Sequence, residues 1–159
     1  MLYREFSDLY EKFKLNFYKN IFKGLGAREA TLTATETFVV EVIHAMHRPT
    51  INELAIFLEM SQPNMTYKIS NLVKKGYVKK IQSTEDKREF YLEVTDRFHN
   101  YYDMKNRYIK EVLKRLEKKI SPEKLRDFEE ILSLMNRELM PEVSKFIKTY
   151  EETEYEYRN

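Results

Sequence analysis

The sequence predicts a mainly α-helical protein with one small β-hairpin, and three observations carry that prediction. Its 159 residues hold only three glycines and four prolines, which favours long helices over tight turns. Apolar residues recur at three- and four-residue steps through most of the chain, the spacing of a helix face packed on a core. Between Tyr77 and Val94 that period gives way to two short extended runs, Tyr77 to Ile81 and Glu89 to Val94, joined by QSTEDKR.

Each element has its own signal. Leu2, Phe6, Leu9, Phe13, Phe17 and Ile21 make residues 2–22 an amphipathic helix, which Lys23-Gly24-Leu25-Gly26 should stop. Thr33-Ala34-Thr35-Glu36 has capping-box spacing and opens a second helix, with Phe38, Val39, Val42, Ile43 and Met46 on its apolar face and Pro49 beyond its end. A second capping box, Thr50-Ile51-Asn52-Glu53, opens a short third helix. Ser61 is the expected N-cap of a fourth, with Pro63 in its first turn and Gly76 as its C-terminal stop. After the hairpin, Thr95-Asp96 should cap a long helix, and Ser121-Pro122-Glu123 should start another. That last helix carries Phe128, Ile131, Leu132 and Met135, and Pro141 should kink or break it.

Composition narrows the function classes. No apolar run approaches the length of a bilayer span, and MLYREFSDLYEKF mixes charges into its apolar residues, unlike a secretory signal. The absence of cysteine removes disulfides, thiol switches and Cys-ligated zinc, so a cytoplasmic location is the expectation. The net charge of +2 is unevenly spread. Residues 61–90 carry seven basic side chains against three acidic ones, and 61–84 carry no acidic side chain at all. A local basic surface on a balanced chain suggests one anionic partner at one place.

The third and fourth helices, joined by Glu59-Met60-Ser61, suggest a helix-turn-helix. With Met65, Ile69 and Leu72 facing inward at 100° per residue, Pro63, Tyr67, Ser70 and Lys74 face outward, with Asn64 and Asn71 on the flank. The outward surface is therefore amide, hydroxyl, phenol and ammonium. Amides suit adenine edges, while hydroxyls and lysines suit phosphates. An ordinary solvated helix face would more often mix Glu with Lys.

A helix-turn-helix followed at once by a hairpin is a winged helix, and residues 33–97 resemble the DNA-binding core of the MarR family of bacterial regulators. The matching residues are Thr50-Ile51-Asn52-Glu53-Leu54-Ala55, Ser61 through Thr66, Leu72-Val73-Lys74-Lys75-Gly76-Tyr77-Val78, Asp86-Lys87-Arg88 and Tyr91-Leu92-Glu93-Val94-Thr95. Tyr67, Lys68 and Lys80 depart from residues common in the family, so no relative's operator is transferable. The expected architecture is a winged core at 33–97 within one MarR-like domain, 1–159. It is flanked by an N-terminal dimerisation helix and linker at 1–32 and by dimerisation helices at 98–150. An acidic, disordered tail occupies 151–159.

The resemblance implies a homodimer that binds double-stranded DNA at a pseudo-palindromic operator, as a ligand-responsive repressor of transcription. It places Gln62, Asn64 and Tyr67 nearest the base edges, with Asn71 on the flank, and puts Ser61, Thr66, Lys68, Lys74 and Lys87 on phosphates. Arg88 would enter the minor groove, with Asp86 holding its guanidinium by a bidentate pair. A small-molecule effector would lodge among Phe13, Phe17, Phe38, Tyr101, Tyr102 and Tyr108, although aromatics at helical spacing also form plain core. The other class considered is a winged-helix protein-interaction or metal-sensing module with weak or no DNA binding.

Neither a metal nor a catalytic site is expected. His44 and His47 lie three apart with Glu41 one turn earlier, and His99 has only Asp103 near it. Solvent-facing or capping histidines explain that spacing without a ligand set. The sequence has no Gly-rich phosphate loop and no nucleophile elbow, so no enzyme and no cofactor are expected.

Overall fold

Both capping boxes form. Helix α1 spans Leu2–Leu25 and α2 spans Ala34–Met46. The Thr33 hydroxyl accepts from Glu36 N, and the Glu36 carboxylate accepts from Thr33 N, at 3.2 and 2.7 Å. Thr50 and Glu53 repeat the arrangement at the start of α3, Ile51–Phe57. The chain continues with α4 (Gln62–Lys74), β1 (Val78–Gln82), β2 (Phe90–Val94), α5 (Asp96–Glu117), α6 (Pro122–Glu138) and α7 (Pro141–Ser144). The computed structural model describes residues 1–25 and 32–148, with side chains at 21–25 and 100–105 outside that description. The expected tail at 151–159 lies outside it too.

α1 is described as far as Leu25, within the stretch expected to stop it, and Gly26 lies outside the described residues. Pro141 breaks the last helix as expected, and it then serves as the first residue of α7.

The chain divides into two compact units, Met1–Thr31 with His99–Leu134 and Leu32–Phe98 with Met135–Asn159. In the first, Phe13 of α1 meets Tyr108 of α5 edge to face at 5.8 Å. No residue of α6 is buried, and Ile131, Leu132 and Leu134 stay exposed, as do Leu2, Phe6 and Leu9 of α1.

The second unit has one apolar core. It joins Val39, Val40, Ile43 and Met46 of α2, Leu54 and Ala55 of α3, and Met65, Ile69 and Leu72 of α4. Val78, Leu92 and Phe98 close it from the sheet and the start of α5. Phe38, expected on this face, is 52% exposed. Val40 takes the inward place, because residues 39, 40, 43 and 46 form the narrower stripe around α2.

β1 and β2 pair antiparallel from Val78↔Val94 to Gln82↔Phe90. The sheet gains a short third contact just before α3, a bridge between Thr50 and Tyr91 and a bond from Leu92 N to Pro49 O. The wing is thereby fixed to the helix that supports α4.

Candidate nucleic-acid interface

The turn between α3 and α4 is tight because Glu59 adopts φ +51°, the left-handed conformation usual after a helix end. Met60 N then reaches back to Ala55 O at 2.9 Å. This reversal leaves α4 with Met65, Ile69 and Leu72 fully buried and the opposite face open. Gln62, Pro63, Asn64, Thr66, Tyr67 and Lys74 are exposed, while Lys68, Ser70 and Asn71 are half-buried.

Several of these side chains have local partners. Gln62 Nε2 donates to Asn52 Oδ1 of α3 at 3.2 Å, which holds the amide at the start of α4. Ser70 Oγ donates to Thr66 O and so turns its hydroxyl onto its own helix. Ser61 occupies the N-cap position with extended backbone, but its side chain makes no capping bond. Pro63, at the second helical position, lacks one of the two N–H donors that an N-cap oxygen uses. The expected capping role is therefore unfilled, and the hydroxyl remains at an exposed helix N-terminus, a favourable place for an anion.

The basic charge divides in a way the sequence does not reveal. Lys75 Nζ lies 2.7 Å from buried Glu36, and Lys79 Nζ lies 2.8 Å from Glu93, which also meets Arg48 Nε at 2.8 Å. Those two lysines serve the fold. Burial works to raise the Glu36 carboxyl, but hydrogen bonds from Lys75 and Thr33 outweigh it, holding the group below its ordinary value. Lys68, Lys74 and Lys80 make no ion pair among the described residues, on a stretch with no acidic side chain.

The wing tip, residues 83–89, is closed by its own hydrogen bonds. Ser83, buried and not singled out in the sequence, accepts through Oγ from Glu85 N and Asp86 N at 3.2 and 3.3 Å. Its backbone N–H donates to Glu89 O, Glu89 N donates to Asp86 O, and Gln82 Nε2 donates to Lys87 O. Ser83-Thr84-Glu85-Asp86, a hydroxyl followed by acidic residues at turn spacing, is the signal that could have found it. The Asp86 carboxylate accepts from the backbone N–H of Arg88 at 2.9 Å. No pair between it and the Arg88 guanidinium is present among the described residues. Asp86 thus shapes the turn that presents Arg88 and does not hold the guanidinium fork itself, the simpler reach for a carboxylate two residues away.

Behind the wing, Thr95 Oγ1 donates to Gly76 O at 2.6 Å, and Arg97 Nη1 donates to Lys75 O at 2.8 Å while its guanidinium stacks on Tyr77. These contacts fix the passage from α4 into β1, where Gly76 takes φ +75°.

His44 is half-buried, its ring 5.3 Å from buried Phe98 and 6.4 Å from His47, and His47 is the C-cap residue of α2, its backbone N–H donating to His44 O. Among the described residues no group of three or more His, Cys, Asp and Glu could hold a metal, and no helix is long and apolar enough to cross a membrane. Phe13, Phe17 and Tyr108 are half-buried, whereas the side chains of Tyr101 and Tyr102 lie outside the described residues.

A helix-turn-helix whose second helix is open on its basic face, followed by a hairpin braced against the first, defines a winged helix-turn-helix protein. Residues 32–90 match the model of the MarR family. Its members are DNA-binding transcription regulators and not enzymes. No curated protein sequence matches the chain. Among solved structures, it is similar to transcriptional regulator Tm0710 from Thermotoga maritima, with TM-score 0.64, 18% identity, and 87% and 96% of the two chains covered. It is also similar to Streptococcus pneumoniae FabT in complex with DNA, with TM-score 0.55, 19% identity, and 87% and 97% covered. A mutant of S. aureus MepR bound to an oligodeoxyribonucleotide gives TM-score 0.51 at 15% identity, with 88% and 99% covered. At these identities the likeness is one of fold.

Proposed function

We propose that the chain is a cytoplasmic, homodimeric, ligand-responsive repressor that binds a pseudo-palindromic operator through α4 and the wing. The observation that carries this is the exposed face of α4, free of acidic side chains, beside a wing tip whose hydrogen bonds present Arg88. Two of the similar structures, FabT and the MepR mutant, are themselves DNA complexes, which supports the same use of the fold here.

In this account α4 enters a major groove, where Gln62, Asn64 and Tyr67 meet base edges and Asn71 flanks them. Ser61, Thr66, Lys68 and Lys74 bind phosphates, the Ser61 end aided by the helix N-terminus. Lys87 adds a phosphate contact, and Arg88 enters the flanking minor groove, where the potential is most negative. The exposed apolar residues of α1 and α6, among them Phe6, Leu9 and Ile131, supply the two-fold interface. On the family's pattern, a small aromatic or amphipathic effector releases the DNA.

Selecting bound sequences from a genomic fragment library tests the proposal. The expected result is enrichment of paired half-sites about one helical turn apart. Fragments enriched without any common sequence, or no enrichment at all, would count against a sequence-specific operator.

A further inference from the structure

We infer that Asn52 of α3 is a positioning residue for Gln62, and that the pair sets a preference for adenine over guanine at one position of each half-site. The inference rests on the DNA-binding reading above and gives it a specificity. It starts from one bond between the two helices of the helix-turn-helix: Gln62 Nε2 donates to Asn52 Oδ1 at 3.2 Å. Among the described residues, no other side chain on the open face of α4 is hydrogen-bonded or ion-paired to a second element. Ser70 donates to its own helix at Thr66 O.

The backbone fixes both ends of that bond. Asn52 lies inside the Thr50–Glu53 capping box, whose reciprocal bonds of 2.6 and 3.2 Å hold the first turn of α3. Its own side chain takes no part in the box and is exposed. Gln62 opens α4 after the tight turn made by Glu59, and the ring of Pro63 sets φ at the next residue. Leu54 and Met65, fully buried two and three residues further along their helices, anchor both helix starts in one core.

The consequence follows from counting donors and acceptors. A glutamine amide has two N–H groups and one carbonyl oxygen. The bond to Asn52 uses one N–H, which leaves one N–H and Oε1 for a base. In the major groove adenine presents one donor, N6–H, and one acceptor, N7, and the remaining pair matches it. Guanine presents two acceptors, N7 and O6, and needs both N–H groups. Without Asn52 the Gln62 amide is free to turn and to offer guanine both. Asn52 thus acts on base choice through Gln62, by occupying a donor and by holding the amide in one orientation.

The test is selection of bound sequences from a randomised duplex pool by the parent chain, Asn52→Ala, Asn52→Asp and Gln62→Ala. The position read by Gln62 is the one where Gln62→Ala loses its base preference. There the parent should favour adenine over guanine by about 5–100-fold, the range of one good bidentate pair. Asn52→Ala should lower that ratio by about 3–10-fold, with the other positions unchanged. Asn52→Asp keeps the acceptor, so it should keep the ratio while its added charge weakens binding to all sequences. In DNA-free protein, Asn52→Ala should also shift the side-chain amide proton resonances of Gln62. An unchanged ratio in Asn52→Ala, a guanine preference in the parent, or a preference lost equally at every position overturns the inference and leaves the DNA-binding proposal standing. If the parent retains no duplex from the pool, the DNA-binding proposal fails and this inference fails with it.

Discussion

Replacing Asp86 separates two views of the wing, because they give opposite signs. The carboxylate accepts from Arg88 N at 2.9 Å within a turn that Ser83, Gln82 and Glu89 also close. Asp86→Ala removes that acceptor and frees Lys87 and Arg88, which must be ordered again on binding at about 1 kcal/mol per residue. The same change removes a negative charge from beside the DNA. For a phosphate about 10 Å away in water that gain is only about 0.4 kcal/mol, less with salt. The loss dominates, so Asp86→Ala should weaken binding by about 1–2 kcal/mol, roughly 5- to 30-fold. Asp86→Asn keeps an acceptor oxygen and loses only the charge, so it should bind as well as the parent or slightly better. Fluorescence anisotropy on one labelled duplex at matched salt reads both. Tighter binding by Asp86→Ala, or equal losses in the two variants, would refute the role given to the turn.

Three further outcomes follow from the same contacts. The Glu36 carboxyl titrates below its ordinary 4.5 when folded, so the stability it adds is complete above that value and lost as pH falls through the lowered one. Glu36→Gln should therefore flatten the acid limb of stability against pH, and identical limbs in denaturant titrations would contradict this. Glu59 sits at φ +51° without being glycine, so Glu59→Gly should raise stability by up to about 1 kcal/mol, seen as a higher denaturant midpoint. Tyr67 is 67% exposed, so Tyr67→Ala should leave stability within about 0.5 kcal/mol of the parent while weakening DNA binding. A large stability loss would instead mark it as a packing residue.

What the sequence made legible was local. The two Thr-x-x-Glu boxes, Pro63, Gly76 and Pro141 act within a few residues of themselves, and each marks an element boundary in the structure. The inward set Met65, Ile69 and Leu72 followed from helical period alone. What stayed hidden depends on partners distant in sequence. Lys75 and Lys79 count toward the basic charge of residues 61–90 until Glu36 and Glu93 are seen beside them. Nothing near Lys148 announces that it returns to Arg48, a hundred residues earlier. Asp86 shows a finer limit: its spacing from Arg88 was visible, but spacing does not say whether a carboxylate takes the side chain or the backbone N–H.

The central claim is that the unpaired cations of α4 and the wing bind duplex DNA, and the salt dependence of that affinity tests it most directly. The logarithm of the association constant should fall linearly with the logarithm of salt concentration, with a slope set by the number of phosphates neutralised. Lys68→Ala and Lys74→Ala should each reduce that slope by about one, whereas Lys79→Ala, whose ammonium already meets Glu93, should leave it unchanged. A slope near zero, or one that Lys79→Ala lowers as much as Lys74→Ala does, would contradict the account.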